Sequence, residues 1–304
     1  MNKKELLECI RKAEEDPSEI NNSVLSGFSG AKIISLLKNL AEIIVNNEKT
    51  YLEVGVYRGL TLLSVAGSVP AYDVYGIDNF AFFDKEGKNL GIINERIELL
   101  NIRNARIINE DFENALENLD QFILEKKAGL YFIDGPHDYR SQIMALLLIK
   151  PWLSEDAVIV IDDCNYRHVR QACRDFLMTD PGYKLIFQAY TKAHPDNLKE
   201  GDRKQAETGW WNGINVIVRD PDNSYEPFYP PVEKDKSLFT NDHLIHTAMY
   251  PGASRKFLRI TGILASLSGK IKDKSQKGKY RSLNTYSDGL KYDNYNSSFL
   301  SRTD

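Results

Sequence analysis

The stretch TYLEVGVYRGLTLLSVAGS, residues 50–68, decides the fold of this chain. Residues 50–56 are mostly aliphatic, aromatic or β-branched, which is typical of a buried strand, and residues 60–68 have the length and composition of a helix. Gly55 and Gly59 lie between the two, where the chain must turn. The stretch therefore predicts a strand–turn–helix unit, the building block of a parallel sheet.

The same alternation continues to about residue 220. Short apolar runs predict further strands at 72–78, 105–111, 129–135, 157–163, 184–190 and 213–220. Helical patterns separate most of them, at 88–101, 113–126, 140–153 and 167–179. Strands that alternate with helices indicate right-handed crossovers, so we expect an α/β fold with a doubly wound, seven-stranded, mostly parallel sheet. The segment 191–212 is polar and has no helical pattern, which predicts a long hairpin and an antiparallel last strand.

The segments on either side differ in composition from this core. Helical patterns at Lys3–Glu15 and 31–47 predict an N-terminal helical extension over residues 1–49, followed by an α/β domain over residues 50–220. Residues 221–304 form a C-terminal extension with one weak helix pattern (HLIHTAMY). From residue 266 onward it is an irregular Ser/Lys/Asn/Tyr-rich tail that we expect to be loosely ordered.

Composition excludes several classes of protein. The chain has 304 residues, 42% of them hydrophobic and 27% charged, which is typical of a globular protein. No apolar run is long enough to span a membrane, and the charged start of the sequence does not resemble a secretory signal. Three scattered cysteines, Cys9, Cys164 and Cys173, predict neither a disulfide framework nor a zinc cluster, so we expect a reduced, cytoplasmic protein.

Charge is distributed unevenly along the chain. The net charge is −4, but residues 251–304 carry a net +7, which leaves −11 on the first 250 residues. An acidic body does not indicate a nucleic-acid partner. The basic tail is either a solvated segment, which we favour, or an arm that seeks anions. A homo-oligomer remains open.

Acidic residues end the predicted strands. In an open parallel sheet, ligands bind outside the carboxyl ends of the strands, so these residues would face a ligand. They are Glu53, Asp78, Asp111, Asp134, Asp162 and Asp163. The first turn has the pattern E-x-G-x-x-x-G, whereas a dinucleotide site has G-x-G-x-x-G. A carboxylate there repels a pyrophosphate but suits a cationic amino acid, and Asp78 is placed to accept hydrogen bonds from ribose hydroxyls.

Taken together, residues 50–220 resemble the class I S-adenosylmethionine-dependent methyltransferases, whose Rossmann-like fold ends in an antiparallel strand. The resemblance implies a role for each acidic strand end near the cofactor. Glu53, Gly55 and Gly59 would line the methionine part of S-adenosylmethionine, and Asp78 would hold its ribose. Asp111 and Phe112 would flank the adenine.

The second half of the domain carries a narrower resemblance. FIDGPHDYR (residues 132–140) and AVIVIDDCNYR (residues 157–167) resemble the metal-dependent small-molecule O-methyltransferases of the macrocin O-methyltransferase type. The resemblance implies that Asp134, Asp162 and Asp163 bind the metal and that His137 is the catalytic base. Independently, three carboxylates delivered to one small volume favour a hard cation such as Mg²⁺. We therefore expect a Mg²⁺-dependent O-methyltransferase that acts on a hydroxylated small molecule, such as a sugar or a natural-product intermediate.

Other interpretations of the same residues remain. Asp163 also fits a cap of the following helix, and Asp134-Gly135 also fits a plain turn. His168 is a second candidate base, while His194, Trp210 and Trp211 either cover a substrate or pin the hairpin to the sheet. At the level of the whole protein, the alternatives are a hydroxylase-like enzyme of the cephalosporin hydroxylase type and a non-catalytic cofactor-binding scaffold. A nicotinamide dehydrogenase is the weakest alternative, because the first turn lacks the dinucleotide pattern.

Overall fold

The strands form one mixed sheet. The computed structural model describes residues 3–17, 24–192 and 194–232, four single positions (260, 263, 264 and 267), and the backbone of residues 297–299. The strands in chain order are β1 (Lys49–Val54), β2 (Val74–Ile77), β3 (Ala105–Ile108), β4 (Lys127–Ile133), β5 (Leu153–Ile161), β6 (Tyr183–Ala189), β7 (Ile214–Arg219) and β8 (Ser297–Phe299). All seven predicted strands are confirmed.

The order across the sheet is β3-β2-β1-β4-β5-β7-β6-β8. Strands β1 to β5 pair in parallel, and β7 runs antiparallel between β5 and β6. The predicted doubly wound sheet with an antiparallel last strand is therefore confirmed. At its edge, β8 pairs antiparallel with β6. The sequence analysis predicted no strand there, because three residues without an alternating pattern give no signal.

The helices lie on both faces of the sheet. They are α1 (Lys3–Glu15), α2 (Ala31–Ile44), α3 (Leu60–Ser68), α4 (Asn89–Leu99), α5 (Phe112–Glu117), α6 (Asp120–Ile123), α7 (Tyr139–Leu148), α8 (Arg167–Thr179) and α9 (Glu200–Thr208). None of the helices in the described part of the chain is long and apolar enough to cross a membrane. The weak helix pattern predicted at 243–250 lies outside the described residues, as does most of the segment 266–304.

Three helical segments differ from the prediction. The single helix predicted at 113–126 is two short helices, α5 and α6, because Asn118 leaves the helical region of the backbone. The helix predicted at 140–153 ends at Leu148, and a 3₁₀ turn at Lys150–Trp152 follows it. Pro151 explains this end, because proline cannot donate the next helical hydrogen bond. The hairpin segment 191–212 contains α9, of which only Ala206 is buried, so no apolar period marked it.

The two faces of the sheet have separate cores. Helices α1, α2 and α3 cover one face, where Leu36 and Leu40 pack with Tyr51 and Phe132. Helices α5, α7 and α8 cover the other face, where Phe176 is one of the buried side chains. Each buried leucine or phenylalanine contributes about 1.5–3 kcal/mol of transfer free energy. The N-terminal helices therefore complete the core of the sheet, while the domain boundaries at residues 49 and 220 stay predictions.

Candidate active site

The turn between β1 and α3 is pressed against the end of β4. Gly55 and Gly59 have φ angles of +94° and +78°, which favour glycine. A Cβ atom on Gly55 would lie 2.0 Å from the carbonyl oxygen of Asp134. The backbone N–H of Asp134 in turn donates to the carbonyl of Val54 at 2.8 Å. Glycine at position 55 is therefore what lets the first turn and the Asp134 strand end touch.

Glu53 is enclosed beneath this turn. It is fully buried, and its carboxyl group accepts hydrogen bonds from the Tyr51 hydroxyl and, at 3.2 Å, from the Thr61 hydroxyl. Burial raises the pKa of Glu53 to about 8. Glu53 thus braces the turn from inside, and its predicted contact with the cofactor stays a prediction.

Asp78 holds the same turn from the end of β2. One carboxylate oxygen accepts the backbone N–H groups of Val56 (2.9 Å) and Tyr57 (2.8 Å). The other oxygen accepts the N–H of Phe80 at 2.7 Å. A carboxylate has about four acceptor positions, so Asp78 keeps capacity for a ribose hydroxyl. Its predicted role in the cofactor site stays a prediction.

The remaining predicted cofactor residues follow β3. The side chain of Asp111 accepts the backbone N–H of Glu113 at 3.0 Å and so caps α5. Phe112 is half-buried and packs against the core. Since β3, β2 and β1 are adjacent, the predicted cofactor residues follow three neighbouring strand ends of one parallel sheet. The contact of Asp111 and Phe112 with adenine stays a prediction.

The ends of β4 and β5 bring an acidic cluster together. Asp134, His137 and Asp163 each offer a ligand atom, and these atoms all lie within 4.8 Å of one another. His137 Nε2 lies 2.5 Å from Asp163 Oδ2, and the imidazole ring stacks on Tyr166 at 5.2 Å between centroids. The other oxygen of Asp163 accepts a hydrogen bond from Asn212 Nδ2 at 2.5 Å. Asp163 therefore links His137 to the turn before β7.

Asp162 lies outside this group of three but affects its charge. Its Oδ1 accepts the backbone N–H of Asp163 at 2.7 Å. Its Oδ2 is buried and has no hydrogen-bond partner among the described residues. Burial, followed by the charge of Asp163, raises the pKa of Asp162. The structure thus brings Asp134 and Asp163 together with His137, and leaves Asp162 behind them with one free oxygen.

The pKa shifts of Asp134, His137, Asp162 and Asp163 indicate that the cluster holds more negative than positive charge. Burial and then the charges of Asp162 and Asp163 raise the pKa of Asp134 well above its usual range. Burial would also raise the pKa of Asp163, but the charge and hydrogen bond of His137 lower it. Conversely, burial would lower the pKa of His137, but Asp163 raises it. One imidazole faces three carboxyl groups, and the unpartnered Oδ2 of Asp162 adds an oxygen donor, so the residues fit a hard divalent cation.

The structure decides between some of the alternatives for these residues. Tyr166, not Asp163, is the N-cap residue of α8, and no side chain caps that helix. The capping interpretation of Asp163 is therefore wrong, whereas Asp111 does cap a helix. His168 is half-buried in the first turn of α8 and is not in the group of three.

The two tryptophans of the hairpin segment have different environments. Trp210 packs on Phe187 of β6 with ring centroids 5.3 Å apart, so it pins the hairpin to the sheet. Trp211 has a φ of +50°, and its ring meets His194 edge-on at 6.0 Å. Burial lowers the pKa of His194. Trp211 and His194 therefore lie together near Asp163, whose charge also acts on His194.

Sequence analysis missed an aromatic cluster beside the first turn. Phe28, which precedes α2, stacks on Tyr57 at 4.8 Å and lies 6.1 Å from Phe83 and 6.4 Å from Trp211. Phe28 and Phe83 are 48% and 75% exposed, so the cluster forms an apolar surface next to the turn. In the sequence, the only signal for this cluster was the position of its aromatic residues: Phe28 follows Gly27 of the GFSG turn, and Phe83 follows the end of β2.

Arg96 of α4 fastens the N-terminal segment over the turn. Its guanidinium donates to the carbonyl of Ser26 at 3.0 Å and to the carbonyl of Arg58 at 2.6 Å. A Cβ atom on Gly27 would lie 2.9 Å from Cβ of Leu60, the first residue of α3. The N-terminal extension is thus fastened to the first turn of the candidate site; the sequence alone did not decide between closure of this site by the extension and a dimer contact.

Comparison with known proteins agrees with this geometry. A family model described as a methyltransferase domain matches residues 52–164, which run from β1 to the acidic end of β5. The comparison with curated protein sequences gives no match.

Several solved structures are similar to the chain. The O-methyltransferase from Bacillus cereus in complex with S-adenosylhomocysteine is 13% identical, with 72% of this chain and 92% of that chain covered and a TM-score of 0.48. The O-methyltransferase TomG from Streptomyces achromogenes, involved in tomaymycin synthesis, is 14% identical, with coverages of 70% and 90% and a TM-score of 0.47. The methyltransferase PaMTH1 from Podospora anserina is 16% identical, with coverages of 71% and 88% and a TM-score of 0.43. The match to a methyltransferase domain covers residues 52–164, and the sheet, whose last core strand β7 is inserted antiparallel between β5 and β6, agrees with the fold expected from the resemblance to the class I S-adenosylmethionine-dependent methyltransferases.

Proposed function

We propose that this methyltransferase methylates a hydroxyl oxygen of a small molecule, such as a sugar or a natural-product intermediate, with the help of a divalent cation such as Mg²⁺. The observation that carries the proposal is the group formed by Asp134, His137 and Asp163, whose ligand atoms lie within 4.8 Å of one another. This group touches the first turn through the contact of Gly55 with the Asp134 carbonyl. Transfer of a methyl group from the cofactor to a substrate held by a cation requires that the two be close together. The contact between the first turn and the proposed cation-binding group would provide this.

The carboxylates of Asp134 and Asp163 would hold the cation, with Asp162 Oδ2 as the remaining unpartnered oxygen. When bound, such a cation lowers the pKa of a hydroxyl group that coordinates it. The raised pKa values of Asp134 and Asp162 support this proposal, since a cation would remove the repulsion that raises them.

His137 would accept the proton of the reacting hydroxyl. Asp163 holds Nε2 and Tyr166 stacks on the ring, so the imidazole is fixed from two sides. This leaves Nδ1 as the nitrogen that takes a proton. An oriented base of this kind contributes about 10²–10⁴-fold to a rate.

The remaining site residues would hold the cofactor, which when bound supplies an electrophilic methyl group on sulfur. Gly55 and Gly59 keep the turn open, and Asp78 fixes its backbone N–H groups while keeping acceptor capacity for a ribose. Asp111 and Phe112 would flank the adenine. The aromatic cluster of Phe28, Tyr57 and Phe83 lies beside this turn and would offer a bound cofactor an apolar surface on one side.

We also infer a reducing, cytoplasmic setting, because Cys9, Cys164 and Cys173 are free and buried thiols. The hydroxylase-like alternative is less well supported, because within the described residues the group that could hold a metal contains a single histidine. Non-haem iron oxygenases use two histidines and a carboxylate.

The experiment is a methyl-transfer assay with labelled S-adenosylmethionine and a panel of catechols and vicinal-diol sugars, in Mg²⁺ or in EDTA. We expect transfer in Mg²⁺, loss of transfer in EDTA, and recovery when Mg²⁺ is added back. Asp162→Ala should abolish transfer and the response to Mg²⁺ together. The matched control is Asp156→Asn, which removes a carboxylate that pairs with Lys49 at 2.7 Å at the start of β1, away from the cluster.

The cofactor is tested separately, by calorimetric titration of S-adenosylhomocysteine. Full activity in EDTA would refute the cation role and leave the methyltransferase assignment intact. Transfer to nitrogen or carbon acceptors instead of hydroxyl groups would refute the proposed O-methylation.

A further inference from the structure

Asn212 contacts the acidic cluster from the far end of the hairpin segment. It is 1% exposed and lies in the turn before β7. Its Nδ2 donates to Asp163 Oδ1 at 2.5 Å, while its own Oδ1 is buried with no hydrogen-bond partner among the described residues. A buried acceptor without a partner lowers stability, so the chain keeps this amide at some expense of stability.

The backbone holds Asn212 in this place. The N–H of Asn165 donates to the Asn212 carbonyl at 2.9 Å, and the N–H of Cys164 donates to the Gly213 carbonyl at 2.9 Å. The Thr191 hydroxyl donates to the carbonyl of Trp211 at 2.9 Å. The turn is therefore tied to the segment that follows Asp163 and also to Thr191, just after β6.

The conformation of the turn is also unusual. Trp211 and Gly213 have φ angles of +50° and +85°, on either side of Asn212. A tryptophan in the left-handed region is strained, and this conformation persists only when its surroundings require it. A Cβ atom on Gly213 would lie 2.7 Å from Asn165 Oδ1, so this position requires glycine. Backbone strain and hydrogen bonds together aim the Asn212 amide at Asp163.

Asp163 itself has few alternatives to this partner. It adopts a φ of +57°, and its Oδ2 faces His137. Without Asn212, Oδ1 would lose the hydrogen bond that fixes the plane of the carboxylate. Carboxylates that bind metals are commonly held by such hydrogen bonds, and removing the donor costs about 10–100-fold in metal affinity.

We propose that Asn212 is a positioning residue of the cation site, which orients the carboxylate of Asp163 through its amide N–H. The inference rests on the proposed function, because it requires that Asp163 binds a divalent cation. It assigns to the turn before β7 a part in cation binding in addition to its place in the sheet.

The test is the affinity of the full-length protein for Mn²⁺, measured by calorimetry in saturating S-adenosylhomocysteine. Asn212→Ser should raise the dissociation constant for Mn²⁺ about tenfold or more, with the affinity for S-adenosylhomocysteine unchanged. The matched control is Asn215→Ser, three residues later, which is also fully buried but accepts its hydrogen bond from the Tyr190 hydroxyl at 3.1 Å. It should destabilise the fold without changing the affinity for Mn²⁺. Asn212→Thr serves as a second variant if the serine variant does not fold.

The outcomes separate the two proposals. If the unmodified protein binds no Mn²⁺, the cation role in the proposed function fails and the role of Asn212 fails with it. If the unmodified protein binds Mn²⁺ and both Asn212 variants bind it equally well, only the role of Asn212 is refuted. Equal weakening by Asn212→Ser and Asn215→Ser would also refute it, because the effect would then be a general loss of structure.

Discussion

Gly55→Ala should damage the fold and the site together. The substitution places a methyl group 2.0 Å from the Asp134 carbonyl oxygen, whereas an ordinary contact is 3.4 Å or more. The position of the new methyl group is fixed by the backbone, and the atom that it meets is a backbone oxygen, so no change of rotamer can relieve the clash. Alanine must also adopt a φ of +94°, which costs about 1–3 kcal/mol. Moving β1 away from β4 would in addition weaken the hydrogen bond from Asp134 N–H to Val54, worth about 1 kcal/mol.

These contributions give an expected loss of about 2–4 kcal/mol in the free energy of unfolding, measured by urea denaturation. The affinity for S-adenosylhomocysteine should fall as well, because the same turn would line the cofactor. Gly91→Ala is the matched control: this glycine is exposed in α4, with no atom within 4 Å of an added Cβ, and alanine there should stabilise the helix by about 0.5–1 kcal/mol. If Gly55→Ala changes stability no more than Gly91→Ala does and binds S-adenosylhomocysteine normally, then the contact between the turn and Asp134 supports neither the fold nor cofactor binding.

Three further substitutions have predictable effects. Burial raises the pKa of Glu53 from 4.5 to about 8, so the stability that its protonated form contributes is complete below pH 4.5 and is lost as the pH rises through about 8. Glu53→Gln should remove this loss of stability. Parallel profiles of unfolding free energy against pH for the two proteins, from pH 5 to 9, would contradict the prediction. Arg96→Met removes two charged hydrogen bonds to the backbone and should lower the free energy of unfolding, measured by urea denaturation, by about 2–4 kcal/mol. The control Arg106→Met removes a half-exposed ion pair with Asp73 and should lower it by under about 1 kcal/mol. Equal losses would refute the role of Arg96. His137→Gln should lower kcat about 10²–10⁴-fold without changing the affinity for S-adenosylhomocysteine, while His168→Gln should leave kcat nearly unchanged; the reverse order of effects would make His168 the base.

The sequence predicted the strands and their acidic ends well, for a physical reason. Strands buried on both faces are continuous apolar runs, and the residue that ends such a run is marked by the change to a carboxylate, as at Asp134 and Asp162. Parallel pairing then puts those ends on one edge whatever the details of the helices. This is why the sheet and the neighbourhood of Asp134, His137 and Asp163 were predictable without coordinates.

What the sequence did not predict depends on long-range contacts between polar or exposed residues. Helix α9 buries only Ala206, so it has no apolar period. Phe28 and Asn212 join the site from segments that lie far from it along the chain, and neither residue type by itself indicates a role there, although Trp211 beside Asn212 was a candidate. The hydrogen bond from Asn212 to Asp163 was likewise not predicted, and the sequence alone did not decide whether Asp163 caps a helix or belongs to the acidic cluster.

The order in which strands are added to the sheet reverses between the parallel strands β1 and β4: β2 and β3 are added on one side, and β5 to β7 on the other. The contact between Gly55 and Asp134 lies at this reversal point. The chain from β1 to β3 extends to one side, and β5, β7 and the hairpin segment extend to the other. The proposed cofactor residues and the proposed cation residues therefore lie on opposite sides of the boundary between β1 and β4, two strands that pair in parallel along their length. Such a division would let the hairpin segment diverge and accept new acceptor molecules while the cofactor half stays unchanged, as long as Asn212 and its hydrogen bond to Asp163 are kept.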